Sequence, residues 1–142
     1  MKKLLLMAVI LPFFINCKDD KPGISKDEED KILLEIKAME NANLYSDSAM
    51  VLLDSNMEDG RVKKEIVDRH ILLLKKSIES AKKVDIATLE RIKKGLGNKY
   101  KAKYIRGLEL QIEGFQQIDS KKSLEGQILY DEYVNFLKTS QK

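Results

Sequence analysis

From Ser25 onward the apolar residues recur at steps of four and three, and no stretch alternates apolar with polar. Pro22 is the last proline in the chain. Both features favour long helices over strands. Ser25-Lys26-Asp27-Glu28 fits a capping box, and the acidic run to Asp30 complements the positive end of a helix dipole, so a first helix is predicted from Ser25 to about Met57. Its seam is Ile32, Ile36, Met39, Asn43, Ser46, Met50, Leu53 and Met57, the spacing of a helix packed against near-antiparallel or parallel neighbours. Asn43 and Ser46 make the middle of that seam polar.

Glu58-Asp59-Gly60 supplies a stop, and a second helix is predicted from about Arg61 to Lys83. Val67, Ile71, Leu74, Ile78 and Ala81 form its seam, flanked by Val62, Ile66, Leu73 and Val84, an arc broad enough to imply burial on more than one side. Asp85 or Thr88 can cap a third helix, which Gly95-Leu96-Gly97-Asn98 interrupts and which resumes from Lys99 to about Ile118. Tyr104, Leu108, Ile112 and Phe115 point inward there, and Gly107 and Gly114 on the stripe's edge allow another helix to approach closely. A last helix from about Lys121 to Lys138 buries Leu129, Tyr133, Phe136 and Leu137. Connections this short fold successive helices back on each other. The expectation is an all-α fold, an antiparallel bundle of about four helices with the third broken near Gly95–Asn98.

The start of the chain has a different pattern. Lys2 and Lys3 precede twelve residues, Leu4 to Ile15, interrupted only by Pro12, and Cys17 follows as the sole cysteine. A basic start, a short apolar stretch and a brief exit segment mark a secretory signal. Twelve residues are too few for a membrane-spanning helix, which needs roughly 20, and no other apolar run approaches that length. Phe14-Ile15-Asn16-Cys17 resembles the lipobox of bacterial lipoproteins, with Phe14 where Leu is common and Asn16 where a small residue is usual. The resemblance covers residues 1–17. It implies that Cys17 receives a diacylglycerol, that the preceding bond is cut and that the new amino terminus is acylated. The alternative is an ordinary cleaved signal ahead of an unrelated cysteine, although no A-x-A cleavage site lies nearby. Acyl chains on Cys17 would anchor the chain stably. Lys18 to Ile24 reads as a tether that, at up to about 3.5 Å per residue, keeps the domain within about 25 Å of the lipid. The division expected is a signal peptide over 1–16, a lipidated tether over 17–24 and a bundle over 25–142. Because Lys18 follows Cys17, the aspartate that often retains lipoproteins in the inner membrane is absent, and the resemblance implies sorting to the outer membrane.

Charge adds little at the level of the whole chain. Removing the two lysines among residues 1–16 leaves 24 of the 26 basic side chains against 23 acidic ones, a net +1. At 142 residues the chain suits one domain and is too short for a multidomain enzyme. One cysteine and one histidine exclude an intramolecular disulfide and a multi-His metal centre. His70 sits within the apolar arc of the second helix, the place of a core or boundary histidine. Glu28-Glu29-Asp30 and Asp131-Glu132 read as a helix start and a solvated face. Common catalytic motifs are missing. No enzyme, cofactor, metal or nucleic-acid partner is expected.

Two features remain as binding candidates. Met39, Met50 and Met57 could form an adaptable apolar groove, and a cavity lined by Met39, Met50 and Leu74 would mark a carrier of an apolar ligand. Arg91 to Arg106 holds seven basic residues and no acidic one, with Lys99, Lys103 and Arg106 spaced to share a face opposite Tyr104, Leu108 and Phe115. Such a face suits anionic lipid headgroups or an acidic polysaccharide. The function expected is a membrane-anchored, non-catalytic binding or scaffolding module that engages a protein or an anionic glycan or lipid. A periplasmic assembly or sensing factor and the apolar-ligand carrier are the alternatives.

Overall fold

A computed structural model describes residues 25–139. The apolar leader, Cys17 and the tether lie outside the described residues. The fold is all-α, with no strand among the described residues. Helix α1 spans Lys26–Asp54, α2 Lys64–Ala81, α3 Ile86–Ile92 and α4 Leu96–Lys99. A π-helical segment, Tyr100–Ile105, leads into α5, Arg106–Gln117, and α6 covers Ser120–Thr139.

Local chemistry explains the boundaries. Ser25 caps α1, its hydroxyl oxygen accepting from the Glu28 amide at 3.3 Å, ahead of an acidic first turn. The helix stops at Asp54, short of Met57. Asn56 turns its amide nitrogen back onto the Leu52 carbonyl at 2.8 Å, and Asp59 and Gly60 both adopt positive φ. They form a two-residue turn in which Glu58 and Arg61 exchange backbone hydrogen bonds at 3.0 and 2.8 Å. Asp-Gly is the pair such a turn prefers. Met57 therefore leaves the seam and is exposed. The turn also delays α2 to Lys64, since Lys63 is extended.

Asp85 caps α3 twice over, accepting from the Ala87 amide at 3.0 Å and the Thr88 hydroxyl at 2.8 Å. The break predicted at Gly95–Asn98 falls earlier, at Lys93–Gly95. Lys93 is extended and Gly95 has φ +86°, and the chain is helical again from Leu96. The Glu90 carboxylate makes this possible by accepting from the Gly95 and Asn98 amides at 2.7 and 2.8 Å, the service an N-cap side chain normally performs. Those bonds hold the Glu90 carboxyl below the usual carboxylate range.

Two antiparallel hairpins build the core. In α1/α2, Ala49 faces His70, Ala42 faces Ser77, and Glu35 accepts from the Asp85 amide at 2.7 Å. In the second hairpin, formed by the π segment with α5 and by α6, Gly114 meets Ser123, Gly107 meets Gly126, and Lys103 pairs with Glu132. Met39, Leu74, Leu89, Leu108, Tyr133 and Leu137 are among the buried residues that join the two. Leu129 and Phe136, expected inside, are half-buried.

At Gly107 and Gly126 the two helix backbones approach closely. A Cβ on Gly126 would stand 2.5 Å from the Gly107 carbonyl oxygen and 2.7 Å from the Gln111 nitrogen, both backbone atoms that cannot swing away. Gly126→Ala is expected to destabilise the domain by about 1–3 kcal/mol, because separating packed helices costs more than the gain in helix propensity. Thermal unfolding followed by circular dichroism checks this; an unchanged or higher Tm would contradict the packing.

Candidate functional site

The sequence-predicted basic run meets acidic partners from elsewhere in the fold. Arg91 pairs with Glu28 of α1 at 3.3 Å, and Lys103 with Glu132 of α6 at 2.6 Å, which lowers the Glu132 carboxyl's pKa. Arg106 lies 3.1 Å from Glu113 and 3.7 Å from Glu109. Those two carboxylates also reach Lys122 and Lys82, so an alternating ladder of charge links α2, α5 and α6. Lys99 projects over the Phe136 ring at 5.9 Å. Lys103 and Lys99 thus lie against α6, while Arg106 belongs to the ladder. An anionic surface binding these three must compete with Glu132, Glu109 and Glu113. Tyr100 and Tyr104, which interleave with the run, are both buried.

Met39 and Leu74 belong to the packed core, and Met50 is half-buried against it. An open groove of about 1210 Å³ lies instead between α2 and the end of α5. Val62, Val67, Ile71 and Leu72 form one wall, and Phe115 and Ile118 the other. Its rim carries Lys64, Asp68 and Lys75 on α2 and Asp119 opposite. Part of the broad apolar arc on α2 therefore remains uncovered by α5. Ile118 ends α5 at φ +56° and is 95% exposed. A β-branched residue in the left-handed region is a true outlier, costing about 1–2 kcal/mol where glycine would cost little.

A second concentration of polar chemistry is sealed inside. The Tyr104 hydroxyl lies 3.1 Å from Ser46 Oγ and 2.9 Å from Ser77 Oγ. Ser46 donates to the Asn43 carbonyl at 3.0 Å and Ser77 to the Ala42 carbonyl at 2.8 Å. The tyrosine's one proton then serves two acceptors in turn. Tyr104 stacks on Tyr100 at 5.0 Å and meets Tyr133 and Tyr130 at 5.2 and 5.8 Å. Burial pushes the Tyr104 hydroxyl up to about 12 and raises those of Tyr100, Tyr130 and Tyr133 as well, so all four stay protonated at neutral pH. The quartet is visible in the sequence only in part, since periodicity points Tyr104 and Tyr133 inward but is silent on Tyr100 and Tyr130.

His70 is fully buried, as its place in the apolar arc requires. Its Nδ1 contacts the Ala49 carbonyl at 2.9 Å, and its ring meets Phe115 edge-on at 4.8 Å. Nδ1 carries the proton in that contact, and Nε2 has no hydrogen-bond partner among the described residues. No group of His, Cys, Asp and Glu among the described residues could hold a metal ion, and no described helix is long and apolar enough to cross a membrane. Family models, curated proteins and solved structures offer no match to this chain.

Burial is the largest influence on the His70 imidazole and lowers its pKa, partly offset by the bond to Ala49 and by the Asp54 carboxylate. The unfolded chain, with a histidine near 6.5, therefore binds this proton more readily than the folded one. The resulting stability is fully present above that value and is lost progressively as the pH falls below it. Urea unfolding at pH 7 and pH 5 should show a smaller acid loss for His70→Gln than for the unaltered protein. Equal losses would mean that the folded core admits the proton.

Proposed function

We propose that the chain is a bacterial envelope lipoprotein whose helical domain is a non-catalytic binding or scaffolding module. The observation that carries this reading is the position of the sole cysteine, directly after a basic start and a twelve-residue apolar stretch. Acyl chains on Cys17 supply the membrane attachment, and Lys18 at the second mature position favours the outer membrane. Seven residues, Lys18 to Ile24, separate Cys17 from Ser25, the first described residue. Helix α1 has 29 residues and so extends about 43 Å from that point. The groove starts beside Gly60, beyond the far end of α1, and runs back along α2. Its floor is apolar and its rim carries both signs of charge, a composition that suits a protein surface better than a polysaccharide.

Cys17→Ser in the full chain is expected to abolish incorporation of a fatty-acid probe and to release the protein from washed membranes. Retention equal to that of the unaltered chain would overturn the anchor, whatever the domain binds.

A further inference from the structure

We infer that the groove is a self-association surface, and that Ile118 of each chain enters the groove of a second copy. The inference rests on reading the domain as a binding module and does not depend on lipidation of Cys17. Two independent observations meet at Ile118. Its backbone is held in a conformation that β-branched residues avoid, at a helix end where glycine or asparagine is the usual occupant. Its side chain is 95% exposed and makes no compensating burial within its own chain. Strain of this kind points to a contact made elsewhere.

The receiving surface is on the same patch. Ile118 stands on the rim of the groove whose opposite wall is Val67, Ile71 and Leu72, with Leu72 itself half exposed at 52%. A projecting residue and a matching recess on one face meet the requirement of a two-fold interface, in which a rotation carries each projection into the partner's recess. The charges agree with that operation. Asp119 follows Ile118 directly, its Oδ1 accepting from the Lys122 amide at 3.1 Å, and the wall it would approach carries Lys64, Asp68 and Lys75, a net positive charge. Each carboxylate would thus face a wall of net positive charge on the partner. A two-fold axis running along the bundle leaves the first turn of α1 on the same end in both copies, so both tethers can reach one membrane.

The test uses the full chain in cells, with a photoactivatable benzophenone side chain in place of Ile118. A covalent product of twice the single-chain mass is expected, with position 118 joined to residues between 62 and 75. Leu72→Glu should remove that product while the Tm of the domain stays unchanged. In sedimentation equilibrium of the purified full chain, Ile118→Gly should weaken dimerisation by about a hundredfold or more, since the symmetric interface loses two apolar side chains, yet leave the Tm equal or higher because the backbone strain is relieved. Products only with other proteins, no product at all, or a dimer that survives Ile118→Gly would each overturn the inference. Failure of the anchor would be read separately, as membrane release of the unaltered chain.

Discussion

Tyr104 is where the two hairpins are joined. Its hydroxyl touches Ser46 of α1 and Ser77 of α2, while its ring stacks within the π segment and against α6. Leaving that hydroxyl unpaired in the core would cost about 1–3 kcal/mol, and here a serine from each helix of the first hairpin reaches it. The serines in turn occupy positions where a larger side chain would hold the helices apart. Ser46 lies between Ala42 and Ala49 on α1, and Ser77 precedes Ile78 and Ala81 on α2, all of them buried. Small residues bring the backbones near, and the same nearness lets the serine hydroxyls bond to the carbonyls of Asn43 and Ala42. Close packing and polar satisfaction are one constraint here. Its dependence on geometry gives the core a single arrangement that an all-aliphatic seam would not specify.

The π segment belongs to the same constraint. Six residues wound with one extra residue per turn interrupt the α-helical phase immediately before α5. Tyr100 and Tyr104 both face the core across this segment, stacked with an interplanar angle of 10°. Beyond it, α5 continues in the phase that places Gly107 against Gly126 and Gly114 against Ser123. The bulky aromatic contacts at one end of the second hairpin and the glycine contacts at the other are thereby reconciled on one continuous helix.

Much of this architecture was readable from local chemistry. Ser25, Asp85 and Asp59-Gly60 act on their own neighbours within a few residues, and a helix start, a second start and a turn fall where those residues stand. Gly107 and Gly114 on the edge of a stripe pointed to a close neighbour, which proves to be α6. What escaped the sequence depends on residues far apart in it. No rule of spacing reveals the π segment, because its stacking partners come from α6. The run from Arg91 to Arg106 looks purely basic along the chain, but Glu28, Glu113 and Glu132 arrive from outside it and pair with Arg91, Arg106 and Lys103. Helix α1 ends three residues before its periodicity implies, because the seam continues through Met57 while Asn56 takes a carbonyl out of the helix. The groove is intermediate. Excess apolar width on α2 is legible, whereas its uncovered portion follows from how closely α5 approaches.

That excess width and the conformation of Ile118 have a common physical meaning. A chain selected only for the stability of its own bundle would narrow the apolar arc of α2 and place glycine where α5 ends, since both changes relieve a cost borne by the isolated domain. Here Val62, Val67, Ile71 and Leu72 keep apolar surface along an open groove, and an isoleucine occupies the left-handed position on its rim. Inside, Ser46, Ser77 and Tyr104 pair their hydroxyls at the hairpin junction, whereas Tyr100 and Tyr133 bury theirs with no partner among the described residues. Local consistency also fails on this outer face, and such failures concentrate where a surface has work outside its own fold. The polar layer at Tyr104 fixes the scaffold, and the departures from ideal packing around Ile118 mark the face it holds out.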